Sequence, residues 1–296
     1  MKFAAIDIGS NAVRLLFANV FEEKQKASFR KESLIRMPLR LGTDVFTHGR
    51  LSQEKADDLL KMMTAFKYLI ETQRPLAFRA CATSAMREAA NGAEVTARIL
   101  AQTGIAIEII DGKKEAELIY SNHIADNLAP GMSYLYIDVG GGSTELTLIS
   151  NNQTVASASF DIGTVRMLND LVTLSAWTAL KVWVKKTTAD HRPLAAIGTG
   201  GNINKYFSLS EQREGKPLAF KKLRSLYTFL QAHSLAERIE QLGLKPDRAD
   251  VIIPAGRIYL SIMKWADIAQ IYVPQVGLSD GMIHTLYEEY KKTRKP

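Results

Sequence analysis

The chain has 296 residues, 46% hydrophobic and 23% charged, a balance that suits a soluble globular protein with room for two ordinary domains. No apolar run approaches the roughly 20 residues of a membrane helix, and a single cysteine, Cys81, excludes an internal disulfide and a cysteine-based zinc site. The net charge of +7 favours polyanionic partners, but part of it sits in the tail Lys291-Lys292-Thr293-Arg294-Lys295, and no zinc-finger, RNA-recognition or basic-zipper pattern accompanies it. Neither nucleic acid nor a membrane is therefore an expected partner. With no leader-like segment before the first apolar stretch, the expected location is cytoplasmic.

In chain order, Phe3 to Ile8 reads as a strand that turns at Gly9-Ser10-Asn11 into a second apolar stretch, Val13 to Val20. Ser52 is an N-cap. The apolar positions Ala56, Leu59, Leu60, Met63, Phe66, Leu69 and Ile70 predict a helix running to about Thr72, stopped before Pro75. Phe78 to Ala82 is the next strand, with Cys81 as a small core residue. Short helices follow near Thr83 to Arg87 and Ala93 to Gln102. Then come a strand at Ile105 to Ile110 and a helix from Lys113 to Asn127. Leu128-Ala129-Pro130-Gly131 is the candidate linker, dividing the chain into residues 1–128 and 129–296. The second half restarts with strands at Tyr134 to Val139 and Glu145 to Ile149, turning again at Asn151-Asn152. Helical stretches at Val165 to Leu171 and Ala176 to Ala189 and a strand at Leu194 to Ile197 follow. Helices then fill Leu223 to Leu230, Leu235 to Leu242, Ala249 to Trp265 and Asp280 to Tyr290, with a short strand at Gln270 to Val273. Strands opening each half and helices closing it predict two α/β domains of similar logic, with a ligand cleft between them.

The most informative feature is a motif that occurs twice. Ile6-Asp7-Ile8-Gly9-Ser10-Asn11 opens the first half; Ile137-Asp138-Val139-Gly140-Gly141-Gly142, followed by Ser143-Thr144-Glu145, opens the second. Each copy places a carboxylate at the entrance of a small-residue turn whose backbone N–H groups form a nest for an anion. One copy alone is explained by a hairpin that needs a turn-former. Its duplication favours two turns that grip a phosphate chain. A third glycine turn, Gly198-Thr199-Gly200-Gly201-Asn202, lies between a strand and a helix and lacks the Gly-Lys-Ser/Thr of a P-loop.

The paired Asp-x-Gly hairpins plus a third glycine turn resemble the actin, Hsp70 and sugar-kinase superfamily, whose domains are ribonuclease H-like. Within it, "DIGSNAVRLL", "CATSAMREAANG", "IIDGKKEAELIY", "YIDVGGGSTEL" and "AIGTGGNINKY" stand in the order of the exopolyphosphatase and guanosine pentaphosphate phosphatase family. The resemblance covers nearly the whole chain. It implies removal of a terminal phosphate from inorganic polyphosphate, or of the 5′ γ-phosphate from pppGpp, with Mg²⁺ as cofactor. An ATP-using kinase of the same superfamily and a non-catalytic sensor of pppGpp or polyphosphate are the alternatives. The family-specific segments speak against the first, and the retained acids against the second.

The resemblance also assigns residues. Glu115 matches the catalytic glutamate, although on its own an acid in the first turn of a helix is explained by the helix dipole. Lys113 and Lys114 depart from the family's more acidic pattern there, and they would favour the ionised Glu115. Asp138 matches the metal-binding aspartate, with Asp7 as a partner holding the ion through water. Glu145 matches a second essential acid. Arg87 matches the arginine that contacts substrate phosphate. Ser10, Asn11, Gly141, Gly142, Ser143, Gly200 and Gly201 are the expected phosphate cradle. Arg166 also fits the pattern, with a structural ion pair as the alternative. "GLSDG" replaces the usual Gly-Leu-Arg-Glu-Gly near the end and carries no catalytic assignment. Two-domain members of this kind are often dimeric, so a homodimer is expected. Longer members add a C-terminal helical region, and this chain is expected to grip long polymers less extensively than they do.

Overall fold

The computed structural model describes residues 1–23, 26–122 and 131–294. In chain order the elements are β1 (Lys2–Ile8), β2 (Val13–Glu23), β3 (Lys26–Met37), α1 (Leu41–His48), α2 (Gln53–Gln73), β4 (Ala77–Ala82), α3 (Ser84–Glu88), α4 (Gly92–Thr103), β5 (Ile107–Ile109) and α5 (Gly112–Tyr120). They continue with β6 (Ser133–Val139), β7 (Thr144–Ser150), β8 (Gln153–Phe160), α6 (Thr164–Leu168), α7 (Leu174–Thr188), β9 (Leu194–Thr199), α8 (Gly201–Leu209), β10 (Leu218–Ala219) and α9 (Phe220–Ala232). The last are α10 (Leu235–Glu240), α11 (Pro246–Ala249), α12 (Ile252–Trp265), β11 (Gln270–Tyr272) and α13 (Leu278–Arg294). Among the described residues no helix is long and apolar enough to cross a membrane.

The chain divides into two compact units, Met1–Asn122 with Val276–Pro296, and His123–Gln275. The first contains a five-stranded sheet in the order β3-β2-β1-β4-β5; the second contains β8-β7-β6-β9-β11 with β10 added at the edge. In both, the first three strands form an antiparallel meander and the next two run parallel to the first. This is the ribonuclease H-like arrangement, built twice. The duplication extends to detail. The pairing of β2 with β3 slips between Phe17 and Ala18, and that of β7 with β8 slips between Leu148 and Ile149. Each slip falls the same number of residues beyond the position that faces the motif aspartate, Arg14 for Asp7 and Glu145 for Asp138. A bulge increases strand twist locally, so both hairpins are bent alike.

Local signals explain most of these elements. Ser52 accepts a bond from the Lys55 backbone and starts α2. Arg74, in the left-handed region at φ 48°, ends it. The buried face of α2 is Ala56, Leu59, Leu60, Met63, Phe66 and Ile70, the set its spacing predicts. Asn151 and Asn152 both take positive φ at the β7–β8 turn, the geometry that makes asparagine a hairpin residue. Cys81 is buried in β4, and burial, followed by the charge of Glu108, pushes its thiol up to about 12.

Several expectations need correction. β3 and α1 lie in a stretch the sequence leaves without an element. β3 is an edge strand whose residues are mostly half-buried or exposed, so no face of it carries an unbroken apolar alternation. The expected helix Ala249 to Trp265 is α11 and α12, broken at Asp250-Val251. The helix expected to reach Asn127 ends at Tyr120, and positions 123–130, including most of the candidate linker, lie outside the described residues.

The larger correction concerns the C-terminus, which a boundary at the linker would place in 129–296. Helix α13 belongs to the first unit. Its Leu278, Met282, Ile283, Leu286 and Tyr287 share one buried cluster with Phe3, Ala5, Leu16 and Ala18 of the first hairpin and with Leu118 and Ile119 of α5. Fully burying such a side chain is worth about 1.5–3 kcal/mol, which outweighs any preference for sequence neighbours. Asp280, in the first turn of α13, accepts a bond from the Gly277 backbone at 3.0 Å and pairs with Lys31 of β3 at 3.0 Å. Burial raises its pKa in spite of that lysine. Gly281 is where α13 rests directly on the Leu118 carbonyl of α5. Replacing it with alanine forces a methyl group onto that carbonyl. Gly281→Ala should cost about 1–3 kcal/mol by the usual penalty for overpacking, seen as a lower urea midpoint. An unchanged midpoint would count against the docking of α13 on the first unit.

Candidate functional site

The duplicated turns share one backbone arrangement. In the second unit the Gly140 N–H donates to the Ser143 carbonyl at 2.9 Å and closes the turn; in the first, Gly9 donates to Ala12 at 3.2 Å. Behind the second turn the chain returns at Gly163 and enters α6. There the Thr164 N–H donates to the Gly140 carbonyl at 3.0 Å, the Val165 N–H to Gly141 at 2.8 Å, and the Arg166 Nε to Gly142 at 2.7 Å. Three consecutive carbonyls are thus held from one side. In a planar trans peptide the N–H of the next residue points opposite to the carbonyl. The N–H groups of Gly141, Gly142 and Ser143 therefore face away from α6, as the wall of an anion nest.

The first turn is built the same way. The Gly42 N–H donates to the Ser10 carbonyl at 2.8 Å and the Arg40 N–H to Asn11 at 3.0 Å. That turns the N–H groups of Asn11 and Ala12 outward. The Ser10 hydroxyl is buried and bonded to that of Ser84, at the start of α3, at 2.8 Å.

The acids divide differently. Asp138 and Glu145 occupy facing positions on β6 and β7 and offer carboxylate oxygens within 4.8 Å of each other. Each is oriented by a hydroxyl from the next strand outward. The Thr199 Oγ1 donates to Asp138 Oδ1 at 2.5 Å, and the Ser159 Oγ to Glu145 Oε1 at 2.9 Å. Tyr259 of α12 fixes Thr199 in turn, its hydroxyl donating to the Thr199 carbonyl at 2.5 Å. Complete burial, reinforced by the nearby Asp138 charge, raises the pKa of this phenol well above its ordinary value, so it remains a donor. In the first unit Asp7 faces not an acid but Arg14, whose Nη1 donates to its Oδ2 at 2.6 Å.

The third glycine turn adjoins the acids of its own unit. Gly200 has φ 97°, and a side chain there would come within 3.2 Å of Asp138 Oδ1. Gly201 begins α8, and its carbonyl accepts a bond from Arg248. In the first unit, the Arg87 Nη1 donates to the Ile110 carbonyl at 2.8 Å, just before α5. Asp111 caps α5 by accepting from the Lys114 N–H at 2.7 Å, which places Glu115 in the first turn, where it is buried. The Lys114 ammonium pairs along the helix with Glu117 at 3.7 Å.

The second unit thus gathers Asp138, Glu145, Gly141, Gly142, Ser143 and Gly200 around one hairpin, and the first brings Ser10 and Asn11 to the other. Sequence reading missed the residues that hold these groups: Thr199 and Ser159, the backbones of Arg40 and Thr164, and the glycines Gly42 and Gly163. Gly163 lies against the Gly141 and Gly142 backbone, and Gly42 against the Ser10 Cβ. A glycine following each three-strand meander was the available signal. Arg166 holds the Gly142 carbonyl and also lies 4.0 Å from Asp161.

Two ribonuclease H-like units, each presenting a clamped glycine or serine turn beside an aspartate, define the actin-like ATPase-type fold. Residues 20–290 match the model of the Ppx/GppA phosphatase family, and the chain belongs to that family. It is 30% identical over 294 residues to a bifunctional 3-dehydroquinate synthase/phosphatase from Fusobacterium nucleatum, covering 88% of this chain and 43% of that protein. It is 34% identical over 171 residues to exopolyphosphatase 2 of Mycobacterium tuberculosis, covering 56% of this chain and 53% of that one. The chain thus spans about half the length of these curated relatives. A crystal structure of an exopolyphosphatase from Cytophaga hutchinsonii superposes with a TM-score of 0.84, with 98% of both chains covered and 22% identity, a likeness of fold.

A methyl group at position 163 would collide with the glycine turn and displace the carbonyls that α6 holds. Losing one to three such bonds, at about 1 kcal/mol each, corresponds to roughly 5- to 150-fold weaker anion binding. Gly163→Ala should fold, with native circular dichroism, yet bind tripolyphosphate more weakly by that range in calorimetry. Wild-type affinity in the folded variant would contradict the clamp.

Proposed function

We propose that the protein is a Mg²⁺-dependent phosphohydrolase that releases terminal orthophosphate from inorganic polyphosphate, the 5′ γ-phosphate of pppGpp, or both. The observation that carries this reading is the outward-facing row of N–H groups at Gly141, Gly142 and Ser143 beside the Asp138–Glu145 pair. Such a row grips a phosphate through its oxygens, without regard to what the phosphate is attached to. Family membership and a relative named exopolyphosphatase support the same chemistry.

The donor set suits a hard divalent cation. Asp138 and Glu145 are oxygen ligands, each steadied by a hydroxyl donor on one oxygen, and Mg²⁺ takes one or two carboxylates together with phosphate oxygens and water. When bound, the ion would neutralise charge on the phosphate oxygens. The Gly141–Ser143 amides hold the phosphate oxygens and stabilise the charge that builds as the bond to the next phosphate breaks. Glu115 orients the attacking water and takes its proton at a carboxylate oxygen as the new P–O bond forms. Arg87, already anchored by one donor to Ile110, has further donors in its fork for a phosphate oxygen. The leaving phosphate carries the bonding electron pair away. A transition state of this loose kind needs positioning and charge more than covalent help.

The test is orthophosphate release with Mg²⁺ from tripolyphosphate, long-chain polyphosphate, pppGpp and ATP. Release from a polyphosphate or pppGpp should fall by roughly 10²- to 10⁴-fold in Glu115→Gln, the usual worth of a general base, and stop on removal of the metal with EDTA. Tight binding without release from any of the four would identify a sensor instead. Phosphoryl transfer from ATP to an acceptor would identify a kinase.

A further inference from the structure

A cavity of about 360 Å³ lies within the first unit, bounded by the end of α1, the start of α2 and the start of α4. That size falls within the range of small-molecule sites. Its lining includes neither the phosphate turns nor the acids beside them. The walls are fixed before anything binds. The Asn91 side chain grips the Leu51 backbone twice, its Nδ2 donating to the Leu51 carbonyl at 3.0 Å and its Oδ1 accepting from the Leu51 N–H at 2.9 Å. The Ala90 N–H donates to the Gly49 carbonyl at 2.9 Å. Asp44 accepts from the N–H and the hydroxyl of Ser52, at 3.1 and 2.5 Å. The loop between α1 and α2 is thus tied at Gly49, Leu51 and Ser52.

The lining offers three kinds of surface. Leu51, Ala56 and Val95 are buried and give an apolar floor. Arg98 spends its Nη1 on Asp57 at 2.6 Å, whereas the Arg50 side chain has no hydrogen bond or ion pair among the described residues. Asp44 and Glu94 add carboxylates, and neither is paired with a cation among the described residues. This mixture decides the ligand. The two carboxylates would repel a phosphate chain, and a neutral apolar molecule would leave the charged groups unused. A small zwitterion with an apolar body engages all three surfaces at once.

We infer that this cavity binds a free α-amino acid with an aliphatic side chain: Arg50 takes its carboxylate, Glu94 with Asp44 its ammonium, and Leu51, Ala56 and Val95 its side chain. An arginine fork suits a carboxylate, and burying the aliphatic group adds the apolar share of the affinity. The site also has a route to the first phosphate turn through α1. At the start of that helix the Arg40 and Gly42 N–H groups hold the Asn11 and Ser10 carbonyls, and Asp44 and His48 of the same helix line the cavity. A ligand that draws on Asp44 biases α1 and, with it, the clamp on the turn. The amino acid is therefore an effector of phosphate binding. This last part rests on the phosphohydrolase reading; the site itself does not.

The experiment titrates L-leucine into the ¹⁵N-labelled full chain, beside 4-methylpentanoate, which lacks the ammonium, and 3-methylbutylamine, which lacks the carboxylate. Leucine should shift the amides of Leu51, Gln53 and Val95 saturably and bind about tenfold more tightly than either comparison compound, the worth of one charge-assisted contact. Glu94→Gln should weaken leucine by about the same factor and spare 4-methylpentanoate. Arg50→Gln should weaken leucine and 4-methylpentanoate and spare 3-methylbutylamine. Both side chains are exposed, so both variants should keep the wild-type fold, and general destabilisation would not produce this crossed pattern. No saturable shift at the limit of leucine solubility overturns the site. Equal binding of leucine and 4-methylpentanoate overturns the zwitterion. For the effector role, tripolyphosphate affinity is measured by calorimetry with and without saturating leucine. The two values should differ by about fivefold or more, and tripolyphosphate should change leucine affinity by the same factor. Equal affinities overturn the effector role. If tripolyphosphate does not bind under either condition, the phosphohydrolase reading falls with that role, and the leucine comparison still decides the site.

Discussion

The candidate site depends on backbone carbonyls being held from behind. A glycine turn by itself has many conformations, and an anion would have to order it at each encounter. Here the carbonyls of Gly140, Gly141 and Gly142 are fixed by Thr164, Val165 and Arg166, and peptide planarity carries that restraint to the N–H groups on the other side. The rigid part is supplied by the sheet. β8 ends at Phe160, Ile162 is completely buried, and the Thr144 hydroxyl donates to the Ile162 carbonyl at 2.5 Å. The chain must then pass close behind the turn, and only a glycine at 163 permits that approach. Preorganisation of this kind lowers the ordering cost of binding and keeps the donors in place while charge develops.

The same construction in the first unit shows which parts of the motif belong to the fold and which to the chemistry. The meander, the bulge, the short helix behind the turn and a close-packed glycine occur in both copies. What differs is the side chains at the level of the aspartate. Two carboxylates with hydroxyl donors fill one row; in the other, a single carboxylate, Asp7, stands beside Arg14 and Arg36. Backbone geometry and side-chain charge have therefore varied independently.

Much of this was legible in the sequence. The two Asp-x-Gly hairpins, the face of α2 and the Asn151-Asn152 turn are local features whose residues make contact within a few positions. What escaped was non-local. β3 carries charges on a wet edge and so lacks alternation. α13 is amphipathic in either half, and only the complementary surface formed by Phe3, Leu16 and Leu118 decides where it packs. Thr199 and Ser159 become carboxylate donors only through strand register, which no spacing in the chain reveals. Arg14 is the instructive case. It sits in the open within "DIGSNAVRLL", yet its ion pair with Asp7 appears only through the strand register that sets the two opposite each other.

The central claim is that phosphate is bound by backbone N–H groups that the fold turns outward. Its most direct test is the ¹⁵N–¹H spectrum of the protein during titration with tripolyphosphate. The account expects the largest downfield shifts at the amides of Gly141, Gly142 and Ser143, with smaller ones at Asn11 and Ala12. The amides of Thr164 and Val165, bonded to carbonyls of the turn, should move little. Shifts confined to the lysines and arginines of the surface, with the Gly141–Ser143 amides unmoved at saturation, would contradict it.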